Sequence, residues 1–150
     1  MTTIAVNRDE IAGDLQMTNG TMKFKIPTKL YKFSAHQDHY PHCDFMVGFT
    51  GTASDMVMAA QYFDYPETFP KGPPVIKGLQ GLVLTMEGNI FLFDDYRKWI
   101  RSNDRFLALG SGAHIALGAM ENGATPTEAV KAAIKRDIYT GYGVKTLKRI

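Results

Sequence analysis

Short runs of β-branched and alternating residues dominate the first third of the chain, and stripes at helical spacing come later. Thr2 to Val6 predicts a strand, with Glu10 to Gln16 as its partner and Asn7-Arg8-Asp9 as the turn between them. A polar segment with Asn19-Gly20 follows, and strand patterns resume at Lys29 to Phe33 and at Asp44 to Phe49. Thr52, with Asp55 three residues on, predicts the N-cap of a helix running through Phe63. Met56, Val57, Ala60 and Phe63 give that helix its apolar stripe.

From Tyr65 to Gly78 the prolines at 66, 70, 73 and 74 exclude a helix interior. Leu79 to Thr85 and Asn89 to Phe93 predict a hairpin turned at Glu87-Gly88. Asp94 to Arg101 is polar and unassigned, and Phe106 to Leu109 reads as a short buried strand. A second helix spans about Gly112 to Glu121 and closes at Asn122-Gly123. Thr125-Pro126-Thr127-Glu128 is a capping box with proline at the first helical position. The helix it opens turns Ala129, Ala132, Ala133 and Ile134 to the core and finishes near Asp137, before a last strand at Gly143 to Leu147. Strands come first, helices fall between pairs of strands, and no regular βαβ alternation appears. An α+β class follows, with antiparallel sheets covered by helices.

At 150 residues the chain fits one domain, 1–150, with a substantial core. Its apolar runs are too short to span a membrane, and a formal charge of +2 is too small to argue for nucleic acid. The basic end at Lys145, Lys148 and Arg149 reads as a solvated strand. Cys43 is the single cysteine and no secretory signal opens the chain, so a reducing cytoplasm is the expected compartment.

The chemistry concentrates at the start. Threonine is small enough for the initiator methionine to be trimmed, and loss of Met1 would give Thr2 a free amine beside its hydroxyl. One residue would then carry both a base and a nucleophile. A separate cluster of His36, His39, His42 and Cys43, with Asp38 and Asp44, has the residue types of a zinc site. It reads more simply as a polar loop that needs no metal, so no metal and no cofactor is assigned. His114 reads as a partly buried packing residue.

Several short motifs, in order along the chain, resemble those of the proteasome β-subunits and the bacterial peptidase HslV. They are Thr2-Thr3-Ile4, Gly13-Asp14, Lys29-Leu30, Gly48-Phe49-Thr50-Gly51-Thr52-Ala53-Ser54-Asp55, Leu109-Gly110-Ser111-Gly112 and Arg136-Asp137-Ile138-Tyr139-Thr140-Gly141. The resemblance implies a four-layer αββα sandwich and an amino-terminal threonine peptidase. Thr2 would be the nucleophile and its α-amine the base, and an α-amine titrates at about 7.7–8.0 in model compounds. By the same resemblance Lys29 would favour the neutral amine, Asp14 would hold the lysine, and the Gly51 amide would stabilise the oxyanion. Ser111, Asp137 and Thr140 would orient the amine, and Met17, Phe49 and Ala53 would line a specificity pocket suited to apolar side chains.

Each of these residues has a plainer reading. A Lys–Asp pair is most often a surface ion pair. Gly51 could be only a turn before a helix, Ser111 an N-cap, and Asp137 a helix end. Lys23, Lys25 and Lys32 compete with Lys29, since the matching slot falls on Thr28 unless one residue is inserted. The chain also departs from the pattern. The Tyr65 to Gly78 segment stands where relatives carry a second long helix, which implies a reduced helix layer and leaves ring, spiral or dimer open. The expected partners are a polypeptide substrate, further copies of the chain as a homo-oligomer, and an AAA+ unfoldase. The competing function is a non-catalytic assembly subunit of the same fold.

Overall fold

The computed structural model describes residues 2–19, 21–35, 43–65, 76–94 and 99–149. In chain order the strands β1 (Thr3–Asn7), β2 (Glu10–Asp14), β3 (Gln16–Asn19), β4 (Met22–Lys25), β5 (Leu30–Phe33) and β6 (Phe45–Thr50) precede helix α1 (Ala53–Asp64). Then come β7 (Gln80–Thr85), β8 (Ile90–Phe93), β9 (Ile100–Ser102), β10 (Phe106–Gly110), α2 (Ala113–Glu121), α3 (Pro126–Ile134) and β11 (Val144–Lys148). Among the described residues all strand pairs are antiparallel, in sheets ordered β10-β1-β2-β11, β5-β6-β7-β8-β9 and β3-β4. The turn from β1 to β2 is held by the Asn7 side chain, which accepts from the amides of Asp9 and Glu10.

Strand alternation sorts the core into three parts. Ile4, Val6 and Ile11 of the four-stranded sheet meet Leu30, Met46, Leu82, Leu84 and Ile90 of the five-stranded sheet. Ala5 and Ala12, on the opposite face of their strands, pack with Ala116 and Met120 of α2 and Ala129 and Val130 of α3. On the far face of the larger sheet, Phe33, Phe45, Val47, Phe49, Val83, Phe91 and Phe93 pack with Met56, Ala59 and Ala60 of α1. Burying one such aliphatic or aromatic side chain contributes about 1.5–3 kcal/mol, enough in sum to fix the sheets against each other and the helices against their sheets.

The predicted caps form. The Thr52 hydroxyl accepts from the Asp55 amide, and the Thr125–Glu128 capping box is complete. Several sequence expectations need correction. Val57 is exposed while Ala59 is buried, because the face of α1 that meets the sheet is centred on Met56, Ala59 and Ala60. In α3, Val130 rather than Ala132 joins the core, and the helix ends at Ile134, before Asp137. The polar segment with Asn19 carries the antiparallel pair β3 and β4, and a strand, Ile100 to Ser102, begins at the end of the unassigned stretch. The Tyr65–Gly78 expectation falls largely on residues 66–75, which lie outside the described residues, as do His36, His39 and His42. Among the described residues, no helix is long and apolar enough to cross a membrane.

Candidate active site

The start of β1, the end of β2 and the residue before β5 converge, bringing Thr2, Asp14 and Lys29 together. Thr2 is 3% exposed, Lys29 1% and Asp14 0%. The Lys29 ammonium donates to the Thr2 hydroxyl oxygen and, at 2.9 Å, to Asp14 Oδ1; the Thr2 hydroxyl donates to the same carboxylate oxygen. Asp14 is anchored further by backbone. The Thr3 amide donates to Oδ1 at 3.0 Å, while the Gly141 and Gln16 amides donate to Oδ2 at 3.0 and 3.2 Å. Two influences oppose each other on Lys29. Burial lowers its pKa and the Asp14 charge and hydrogen bond raise it; burial wins, and the ammonium titrates below its ordinary 10.5. The competing lysines 23, 25 and 32 are all exposed.

A second network lies beside the first. The hydroxyls of Ser111 and Thr140 both donate to Asp137 Oδ2 at 2.5 Å, and the Tyr139 amide donates to Oδ1 at 3.2 Å. Burial alone would push the Asp137 carboxyl up, but these hydrogen bonds outweigh it and hold the group below its ordinary 3.8. Ser111 also approaches the Thr2 carbonyl oxygen at 3.4 Å. It is not the N-cap of α2, since Gly112 occupies that position without a side-chain cap.

Between the networks, Gly110 pairs with Thr3 across the sheet at φ +98°. A Cβ there would stand 1.8 Å from the Thr2 carbonyl oxygen, so only glycine lets the two backbones come this close. Gly51, at φ +148°, precedes the capped start of α1 in a conformation that side chains other than hydrogen rarely adopt.

A cleft of about 840 Å³ opens beside Thr2, Gly110 and Ser111. Met17, Thr18 and Phe24 of the β3–β4 hairpin form one wall, and residues 50–55 form another. Met17 and Ala53, expected to line a specificity pocket, border this cleft, and so does Gly51, expected as the oxyanion donor. Phe49 does not. β6 is buried on both faces, and Phe49 shares the α1 face with Phe45 and Val47, where its ring lies 5.9 Å from that of Phe93. The remaining lining is more polar than expected, with Thr50, Thr52, Ser54, Asp55 and Lys77. Sequence reasoning assigned no role to Thr3, Gly110, Gln16 or Phe24, although Thr3 and Gly110 lie within motifs it had singled out. Cys43 is a free, partly exposed thiol whose pKa is raised by burial and by Glu87 and Asp44. Among the described residues, no three His, Cys, Asp or Glu side chains gather as a metal site.

The fold is that of the proteasome-like amino-terminal nucleophile proteins. Its structure is similar to that of BPH from Thiobacillus denitrificans in complex with epoxomicin, at a TM-score of 0.70 and 19% identity over 98% of this chain and 96% of that one. Eukaryotic HslV from Trypanosoma brucei superposes at a TM-score of 0.66 with 18% identity, covering 97% of this chain and 98% of that one. The Gly-1 mutant of Anbu from Hyphomicrobium sp. strain MC1 gives a TM-score of 0.73 and 10% identity over 99% and 81%. No protein-family model matches the sequence, and comparison with curated proteins finds no match.

Proposed function

We propose that this chain is a threonine endopeptidase of the proteasome-like class, folded as one αββα sandwich domain over residues 1–150. It uses Thr2, freed by removal of Met1, to cut peptide bonds in unfolded proteins or peptides. The observation that carries this reading is the Thr2 hydroxyl, enclosed in the core yet facing a cleft, in hydrogen-bond contact with a lysine of lowered pKa and a fully buried carboxylate. Burying a lysine costs stability that pairing offsets only in part. A non-catalytic assembly subunit has no need of that arrangement.

In the reaction the Thr2 oxygen adds to the scissile carbonyl while its proton passes to the α-amine, with Lys29 stabilising the developing alkoxide. The Gly51 amide receives the oxyanion. The leaving amine takes the proton, and the ester on Thr2 is hydrolysed by a water that the α-amine activates. Asp14 fixes Lys29, while Asp137, Ser111 and Thr140 orient the amine. Met17 and Ala53 give the cleft its apolar part, and Phe24 extends it. Assembly as a homo-oligomer, supply of substrate by an AAA+ unfoldase and a cytoplasmic site of action belong to the same reading, the last fitting the single cysteine.

The test compares hydrolysis of fluorogenic peptides and an unfolded protein by wild type, Thr2→Ser and Thr2→Ala. Thr2→Ser is expected to retain part of the activity and Thr2→Ala to lose about a thousandfold or more. Equal hydrolysis by wild type and Thr2→Ala would remove Thr2 from the reaction.

A further inference from the structure

Thr3 stands between the two carboxylates and touches both networks. Its side chain is fully buried, its amide donates to Asp14 Oδ1 at 3.0 Å, and its hydroxyl lies 2.7 Å from that of Thr140. Thr140 in turn donates to Asp137 Oδ2 at 2.5 Å. With the Thr140 proton committed to Asp137, Thr3 is the donor of the hydroxyl pair. The hydrogen bonds therefore run in one direction, from Thr3 to Thr140 to Asp137, with Ser111 joining at the same oxygen.

The surroundings leave room for this junction and little else. Gly112 opens α2 beside it, and a Cβ on Gly112 would stand 2.2 Å from Thr3 Oγ1 and 3.3 Å from Thr140 Oγ1. Its φ of −93° is open to any residue, so the requirement for glycine there is steric, set by Thr3 Oγ1 and by the Ala133 Cβ, from which a Cβ on Gly112 would stand 2.9 Å. Thr3 and Thr2 are successive residues, so their side chains diverge. One reaches the Asp14–Lys29 pair and the other the Thr140–Asp137 pair.

We propose that Thr3 is a positioning residue that couples the two carboxylate networks, holding Thr140 and Asp137 in register with the nucleophile next to it in sequence. The inference rests on Thr2 being that nucleophile. Without the Thr3 hydroxyl, the buried Thr140 oxygen loses its donor, and the directed chain that orders Asp137 is broken. Asp137 then keeps only Ser111, Thr140 and the Tyr139 amide, with no link to Thr3.

The experiment uses the full chain with Thr3→Val, which keeps shape and strand preference while deleting the hydroxyl, and Thr3→Ser, which restores it. Peptide hydrolysis gives kcat and KM, carboxyl NMR gives the titration of Asp137, and thermal unfolding gives the folded fraction. Thr3→Val is expected to lower kcat about five- to tenfold at unchanged KM and to move the Asp137 titration upward, with Thr3→Ser reversing both. The proposal is overturned if Asp137 titrates alike in wild type and Thr3→Val. It is also overturned if the loss in Thr3→Val tracks only the folded fraction or is not reversed by Thr3→Ser. Absence of hydrolysis in the wild type overturns the threonine-nucleophile reading instead, and the Asp137 titrations still decide the Thr3 junction.

Discussion

Asp14 and Asp137 flank the same dipeptide, Thr2-Thr3, and are held in opposite ways. Asp14 is fully enclosed and accepts from three backbone amides, a hydroxyl and the Lys29 ammonium. Asp137 is partly exposed beyond the end of α3, and two hydroxyls with a single amide hold it. Backbone donors cannot rotate away, so the first carboxylate is part of the fold itself. Hydroxyl donors can turn, so the second is a tuned rim of the site. Loss of charge at Asp14 should therefore cost stability and chemistry together, whereas loss at Asp137 should cost chemistry first.

The sharpest way to break this contrast is Asp14→Asn. It strands Lys29 in the core without a counter-charge, and a loss of about 3–5 kcal/mol is expected in chemical denaturation, with hydrolysis abolished. Lys29→Met should be milder on stability, because Asp14 keeps its amide donors, yet still reduce hydrolysis by about a hundredfold or more. If the two variants proved equally stable, the asymmetry between backbone-held and side-chain-held charge would be wrong.

At the rim, Asp137→Asn is expected to lower kcat by about ten- to a hundredfold while changing stability by about 1 kcal/mol or less, since the carboxylate is itself partly exposed and the amide oxygen of Asn still accepts. A stability loss as large as that of Asp14→Asn would erase the distinction. Thr140→Ser should be nearly silent because it keeps the hydroxyl, and Thr140→Val should lose about 1 kcal/mol by leaving Thr3 and Asp137 short of a partner.

The smallest effect is one of pH. Asp137 titrates below 3.8 in the folded chain, so the folded state binds its proton less readily than the unfolded state. Its stabilising contribution is present above pH 3.8 and is lost as the pH falls through the lower folded value. Asp137→Asn should flatten the stability profile in that acidic window and nowhere above it. For Lys29 the window lies at the other end of the scale. Its folded pKa is below 10.5, so stability should rise as the pH climbs from that lower value towards 10.5, and Lys29→Met should remove the rise.

The helix caps at Thr52 and Thr125 and the long strands were legible because each rests on local chemistry. The β3–β4 hairpin was not. Asn19-Gly20 is a turn signal, but Lys23 and Lys25 interleave with the exposed Met22 and Phe24, and the run reads as solvated. Phe49 was misassigned because β6 is apolar on both faces, and alternation alone does not say which face meets the cleft. Lys29 was ambiguous among four lysines until burial separated it from the other three. Thr3 carried no signal of its own, since its role arises only where β1, the start of α2 and the 137–141 loop meet.

The account turns on Thr2 as a nucleophile with a free amine, and one measurement reaches both at once. A peptide epoxyketone reacts with the hydroxyl and the amine of an amino-terminal threonine together, so intact-mass spectrometry of the treated protein reports on each. A single adduct mapped to Thr2, on a chain that lacks Met1, is the predicted result. An unmodified chain that still carries Met1 would contradict it.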